Sequence, residues 1–146
     1  MASRNAEPGL FHEAVRNALE KDGWTITDDP YQIRLLDVES DIDLAAERVI
    51  GAQRKGNGLT EKIAIEIKSF VGASFMKDLH NAVGQFTNYK ILMKLEEPER
   101  VLYLAVPHSV YTRKFNVVGV KLICREAGIR LMSYDQINET IVTWER

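Results

Sequence analysis

The hydrophobic positions of the chain repeat with two different periods, which predicts a fold built from both helices and strands. Apolar residues recur every three or four positions in three segments, 10–21, 74–95 and 114–127. Asp22-Gly23 and Gly128 follow two of these segments and Pro98 lies just beyond the other, as expected where helices end. The first nine residues precede this pattern and are expected to form an N-terminal tail.

Shorter apolar or alternating stretches predict strands at 24–27, 42–52, 62–70, 101–106, 129–134 and 140–144. Residues 31–36 fit either a strand or a loop. The continuous apolar run at 101–106 is typical of a central parallel strand that is buried on both faces. A hairpin-rich first half followed by β-α-β crossovers predicts one α/β domain, residues 10–146, with a mixed sheet flanked by helices.

The stretch 62–70 has a strict period of two. Its three isoleucines, Ile63, Ile65 and Ile67, are expected on one face of the strand, with Glu66 and Lys68 on the other. Alternating opposite charges commonly decorate an exposed strand face, so this pair carries little information by itself.

A third residue, Asp43, makes the pair of Glu66 and Lys68 informative about function. Residues 56–58, Gly-Asn-Gly, suit a hairpin turn, which would place Asp43 on the strand beside Glu66. Asp41 is a competing acid on the same strand face, but Asp43 lies deeper in the apolar segment, where a carboxylate requires an explanation. We therefore prefer Asp43 as the partner of Glu66.

These groups suit a divalent metal site. Mg²⁺ or Mn²⁺ prefers oxygen ligands and keeps several waters, so Asp43, Glu66 and the backbone carbonyl of Ile67 can suffice. Such a cation polarises a phosphoryl oxygen and lowers the pKa of a bound water. A nearby ammonium, that of Lys68, can position the attacking water or offset developing charge.

The pattern resembles that of the PD-(D/E)xK nuclease superfamily, which has a restriction-endonuclease-like fold. The resemblance implies that Asp43 and Glu66 are metal ligands and that Lys68 is the catalytic lysine. Ile42 stands where the superfamily pattern has proline, which is its weakest element.

The same resemblance implies two accessory residues. An N-terminal helix can supply a further acid, for which Glu13 is the candidate. The helix after the E-x-K motif often carries a glutamine that faces the site, and Gln85 fits this place, with Tyr89 one turn later.

Over a longer span the chain resembles XisH, the fdxN-element excision controlling factor family, from about residue 10 to residue 144. The resemblance rests on segments 12–19, 21–27, 42–47, 65–70 and 101–107. It implies DNA, an XisI-like partner protein and a site-specific recombinase as partners. Two functions follow from it: a magnesium-dependent DNA endonuclease, or a catalytically inactive nuclease-fold subunit that binds a partner protein or a recombinase–DNA complex.

Charge is unevenly distributed along the chain. Residues 1–47 hold four basic and eleven acidic side chains, whereas residues 48–146 hold fifteen basic and ten acidic ones. This asymmetry can concentrate positive potential on one side of the fold, or the charges can intermix on a solvated surface. The isoelectric point of about 5.9 disfavours tight DNA binding by the chain alone, so we expect a partner protein or a homodimer.

The remaining features predict a cytoplasmic protein. Cys124 is the only cysteine, so no intrachain disulfide can form, and its apolar surroundings favour a buried structural thiol. The sequence has neither an apolar run long enough to cross a membrane nor a signal-peptide pattern. His12, His80 and His108 show no ligand spacing with one another or with Cys124, which argues against a zinc site.

Overall fold

In a computed structural model of the chain, the residues described are 2–50 and 59–145, and these form four helices and eight strands. In chain order the elements are α1 Ala2–Lys21, β1 Thr25–Asp28, β2 Tyr31–Leu35, β3 Val38–Ile42, β4 Leu44–Ile50, β5 Leu59–Ile67, α2 Phe75–Glu96, β6 Val101–Pro107, α3 His108–Lys114, α4 Val118–Ala127, β7 Leu131–Asp135 and β8 Thr140–Trp144. Among these, no helix is both long and apolar enough to span a membrane.

Six of the strands form one mixed sheet in the order β1-β4-β5-β6-β7-β8. The central strands β5, β6 and β7 are parallel, and the remaining pairs in this sheet are antiparallel. Strands β2 and β3 form a separate two-stranded antiparallel hairpin. The predicted single α/β domain with a mixed sheet flanked by helices is therefore confirmed.

The predicted pairing of the two strands around the site is also confirmed. Strands β4 and β5 are antiparallel, and Leu44 lies opposite Ile65. The turn predicted at residues 56–58 lies outside the described residues.

Helices cover both faces of the sheet. Helix α1 packs on the face that carries Ile63 and Ile65, and a separate core on the other face joins Ala64 to α2, α3, α4 and the β2–β3 hairpin. The predicted alternation along β5 is thus confirmed. It places Glu66 on the α2 side of the sheet, since Glu66 follows Ala64 by two positions.

The helix predicted at 114–127 corresponds to α4, which ends at Ala127 as predicted but begins four residues later, at Val118. The short helix α3, His108–Lys114, precedes it and is not predicted from the sequence. Phe115 lies between them with its ring buried against Phe70 and Phe75, at centroid distances of 5.3 and 5.5 Å. Burial of this ring accompanies the break, which the apolar periodicity alone does not reveal.

Strand β3 is a second difference from the prediction. The strand predicted at 42–52 is divided at Asp43, so that Ile42 ends β3 and Leu44 begins β4. Helix α1 begins at Ala2, within the residues expected to form a tail. The predicted stop at Gly128 is confirmed: this residue caps α4 with a φ of 68°, a left-handed conformation that glycine adopts without steric cost.

Cys124 is buried in α4, as predicted for a structural thiol. Burial raises the pKa of this thiol to about 11, so it carries a proton at neutral pH.

Candidate catalytic site

Asp43 occupies the bend at which the chain leaves the β2–β3 hairpin and enters the six-stranded sheet. The pairing of β4 with β5 ends at Leu44 and Ile65. Beyond that point, the Asp43 carboxylate accepts a hydrogen bond from the backbone N–H of Ile67, with an N···Oδ2 distance of 2.8 Å. The side chain of Asp43 thus takes the place of the next backbone partner and is held against the end of β5.

The backbone carbonyl of Ile67 faces the same edge of β5. The N–H of Lys68 donates to the carbonyl of Ala105 in β6 at 3.0 Å, so Lys68 is bonded towards β6. Because backbone polar groups alternate sides along a strand, the N–H and C=O of Ile67 point the other way, towards Asp43. This orientation places the Ile67 carbonyl on the side of Asp43, and its role as a metal ligand stays a prediction.

Glu66 is the buried member of the site, with 6% of its surface exposed. Its Oε2 lies 3.5 Å from Nζ of Lys68. Its Oε1 is buried and has no hydrogen-bond partner among the described residues. A carboxylate oxygen buried without a donor is unfavourable, because its hydration is lost and not replaced.

Burial is the main reason that the pKa of Glu66 is raised to about 7, and the neighbouring negative charge of Asp43 raises it further. The ammonium of Lys68 acts in the opposite direction but does not cancel these two effects. Two carboxylates in one partly dry site repel each other, so the site favours either a proton or a cation between them.

Helix α2 presents Tyr89 to the same group of acids. Burial, and then the charges of Glu66, Asp43 and Asp41, raise the pKa of Tyr89 to about 12. Gln85 lies one turn earlier and therefore on the same helix face. Its Oε1 is also buried without a hydrogen-bond partner among the described residues.

The other two acids considered from the sequence are placed differently. Glu13 is exposed on α1, and the described residues include no hydrogen bond or ion pair that joins it to the site. His12, the residue before it, lines a cavity together with Asp43 and Lys68. Asp41 is exposed on β3, whereas Asp43 is partly buried and bonded to β5. A catalytic role for Glu13 stays a prediction without a structural contact to support it.

The donor set fits a hard divalent cation. Within residues 2–50 and 59–145, no group of three or more His, Cys, Asp or Glu side chains is close enough to hold a metal ion. The available set is instead two carboxylates, Asp43 and Glu66, and the Ile67 carbonyl. All three supply oxygen, as Mg²⁺ and Mn²⁺ prefer, and a small number of protein ligands is usual for Mg²⁺ because it retains several waters.

The His12 side chain is the part of this region that sequence reasoning missed. His12 carries no motif signal, because its partner Asp29 lies 17 positions away in the turn after β1. Only the packing of α1 on the sheet brings the two residues beside the end of β5.

Comparison with known proteins places the chain among close structural relatives. A family model described as XisH protein matches residues 6–142. The crystal structure of an XisH family protein from Nostoc punctiforme is 40% identical, with a TM-score of 0.82, over 94% of this chain and 99% of that chain. The crystal structure of an fdxN element excision controlling factor protein from Anabaena variabilis is also 40% identical, with a TM-score of 0.81 and the same coverage. No curated protein matches the chain.

Proposed function

Since the chain belongs to the XisH family, we propose that it is a controlling factor for excision of a DNA element and that it hydrolyses phosphodiester bonds in DNA. The hydrolytic site comprises Asp43, Glu66 and Lys68 and uses Mg²⁺ or Mn²⁺. The excision role rests on the name of the relative from Anabaena variabilis. The hydrolytic role rests on the site itself.

The buried Oε1 of Glu66 is the observation that supports hydrolysis most directly. Its hydrogen-bond capacity is unused, and Asp43 places a second negative charge beside it. A divalent cation held by Asp43, Glu66 and the Ile67 carbonyl would relieve both costs at once. The same cation would polarise a phosphoryl oxygen and lower the pKa of a bound water.

Other residues of the site orient the metal ligand, hold the attacking water and restrict access of bulk water. The Ile67 N–H fixes the Asp43 carboxylate, so this ligand is oriented before a cation arrives. The Lys68 ammonium, 3.5 Å from Glu66, is placed to hold the attacking water and to offset negative charge on the phosphoryl group. From α2, Tyr89 lies within electrostatic range of these acids, and Gln85, one turn earlier on the same helix face, would help to limit access of bulk water.

A plasmid-nicking assay tests this proposal. We expect cleavage of supercoiled DNA with Mg²⁺ or Mn²⁺ and loss of that cleavage with EDTA. Because the Glu66→Gln and Lys68→Met proteins lack the ligand charge and the ammonium, their rates should fall at least about 100-fold. The matched controls Glu126→Gln and Lys121→Met change exposed residues on α4 and should retain the rate. Cleavage that survives both site substitutions would remove this site from consideration.

The β2–β3 hairpin favours a second function, in which the fold is an inactive subunit that binds an XisI-like protein or a recombinase–DNA complex. Leu36, at the hairpin tip, is 91% exposed, and Val38 is 49% exposed. Asp37, also exposed, lies between them, whereas Glu39 is paired with Arg34 in the same hairpin. Two exposed apolar groups beside an acidic side chain suit contact with a basic, partly apolar protein surface.

Complex formation with an XisI-like protein, measured by calorimetry, separates the two functions. Under the second function, Leu36→Ser and Asp37→Lys should each weaken the complex about 10-fold or more, because both groups contact the partner. Ile137→Ser is the matched control, since Ile137 is 90% exposed at the turn before β8. A complex insensitive to the hairpin substitutions would exclude the hairpin as the interface.

A further inference from the structure

A cavity of about 180 Å³ lies beside Asp43 at the end of β5. Its lining comes from helix α1, from the bend before β4 and from the residues that end β5: Phe11, His12, Asp43, Ile67, Lys68 and Ser69. Ile67 faces α1, whereas Glu66 faces α2, so this cavity adjoins the carboxylate pair from the opposite side of the sheet. Asp43 and Lys68 belong to both regions.

The imidazole of His12 is held in place within this lining. Its Nε2 lies 2.8 Å from Oδ1 of Asp29, and the other oxygen of Asp29 accepts a hydrogen bond from Nη1 of Arg16 at 2.6 Å. A carboxylate partner requires that Nε2 carry the proton and fixes the orientation of the ring. Nδ1 is therefore the nitrogen left for a ligand, and it has no hydrogen-bond partner among the described residues.

We propose that His12 contacts a phosphate of the bound nucleic-acid strand, next to the phosphate that is hydrolysed. The substrate class rests on the proposed hydrolytic function. In its protonated form His12 donates from Nδ1 to a phosphate oxygen, and Asp29 acts as a positioning residue that orients the ring. Of the charged groups around this contact, Arg16 and Lys68 attract phosphate, whereas Asp29, which pairs with Arg16, and Asp43 repel it.

The location explains why such a contact is useful. A strand that passes over the end of β5 crosses Lys68 and Ser69, which also line a second cavity of about 240 Å³ on the side of Asn81. Each cavity contains one carboxylate, Asp43 in the first and Asp78 in the second, but of the two linings only the first includes an imidazole, that of His12. The protonated imidazole adds a charged hydrogen-bond donor for phosphate on the α1 side, and this asymmetry fixes the direction in which the strand leaves the site.

The first test measures the imidazole itself in metal-free protein. Inorganic phosphate is titrated at pH 6 and constant ionic strength while the ring signals of His12 and His80 are followed by ¹H–¹⁵N NMR. We expect a saturable shift of His12 and none of His80, which is exposed on α2. Ring signals of His12 that ignore phosphate would overturn the inference, whether or not the protein cleaves DNA.

The second test measures DNA affinity by fluorescence anisotropy at pH 6, in the Glu66→Gln background and at several salt concentrations. Loss of one phosphate contact in His12→Asn should weaken binding about 5-fold and make the slope of log K against log salt shallower by about 0.9. A substitution that only loosened packing would leave this slope unchanged. His80→Asn is the matched control and should change neither quantity, and equal slopes for the two variants would overturn the DNA contact.

The outcomes also separate this inference from the proposed function. A His12 that binds phosphate and DNA in a protein without nicking activity would retain the phosphate site and remove the hydrolysis. If nicking is lost in Glu66→Gln while the His12 signals respond to neither phosphate nor DNA, the hydrolytic function is supported and the phosphate contact of His12 is excluded. A response to inorganic phosphate with an unchanged salt slope would show binding of free phosphate only and would overturn the nucleic-acid assignment.

Discussion

Two buried charged groups lie at strand β5, Glu66 within it and Arg100 beside it, and they differ in how completely their charges are neutralised. Arg100 precedes β6, and only 4% of its side chain is exposed. Its guanidinium donates to both carboxylate oxygens of Glu97 at 3.1 and 3.2 Å and to the carbonyl of Ile63 at 3.0 Å. Glu47 lies 3.5 Å away, and the ring of Tyr31 packs against the guanidinium plane at 4.8 Å.

Glu66, three positions after Ile63, is buried to a similar extent without comparable partners. It has a single ion pair, to Lys68 at 3.5 Å, and one oxygen without a hydrogen bond among the described residues. Burial alone therefore does not identify a functional charge. The Arg100 cluster satisfies its own groups and needs no ligand, whereas Glu66 is left with unused ligand capacity, as expected of a site that binds a cation.

The largest effect on folding should come from removing the satisfied charge. Arg100→Met leaves the carboxylates of Glu97 and Glu47 without their cation and should lower the free energy of unfolding by about 3–5 kcal/mol. Urea denaturation monitored by circular dichroism measures this quantity. Lys121→Met removes an exposed cation and should change it by less than about 0.5 kcal/mol. If the two substitutions cost the same, the Arg100 cluster does not stabilise the fold and the contrast with Glu66 fails.

Glu66→Gln should instead raise the free energy of unfolding of the metal-free protein at pH 8. Because the pKa of Glu66 is raised from 4.5 to about 7 on folding, the carboxyl group's favourable contribution is fully present below pH 4.5 and is lost as the pH rises through about 7. At pH 8 the metal-free Glu66→Gln protein should be more stable than the wild type by about 1–3 kcal/mol, and at pH 4.5 the two should converge. Urea denaturation at both pH values measures the difference.

A cation should reduce the difference in stability between these two proteins at pH 8. At ten times its dissociation constant, Mn²⁺ stabilises a binding protein by about 1.4 kcal/mol, so the melting temperature of the wild type should rise at pH 8. The Glu66→Gln protein, which lacks the charged ligand, should gain less. If the metal-free Glu66→Gln protein is no more stable than the wild type at pH 8, neighbouring groups already neutralise the buried negative charge of Glu66.

The two clusters differ in how well they can be predicted from the sequence. Convergence of Asp43, Glu66 and Lys68 follows from local patterns, namely a period of two along β5 and turn residues between two strands. Within the Arg100 cluster only the pair with Glu97, three positions earlier, is local. Glu47, Ile63 and Tyr31 belong to strands far from Arg100 in the sequence, and no local pattern predicts that they meet it. Tyr31, for example, belongs to a segment that the sequence left as either a strand or a loop.

The differences in fold have the same origin. The break between α3 and α4 accompanies burial of Phe115 against two other rings, and the division of the predicted strand at Asp43 places that side chain on the N–H of Ile67. Both depend on contacts between segments that are distant in sequence. The position of His12 is not predicted from the sequence for the same reason, since its partner Asp29 contacts it only when α1 packs on the sheet.

The smallest predicted effect compares one hydroxyl group from each cluster. The hydroxyl of Tyr31 donates to Glu97 at 2.5 Å, whereas that of Tyr89 faces the acids of the site and has no hydrogen-bond partner among the described residues. Tyr31→Phe should therefore lower the free energy of unfolding by about 1–2 kcal/mol, since it removes a hydrogen bond to a charged acceptor. Tyr89→Phe should lower it by less than about 0.5 kcal/mol. Paired urea titrations at pH 7 measure both values, and a cost for Tyr89→Phe equal to that of Tyr31→Phe would show that the site is as well satisfied as the Arg100 cluster.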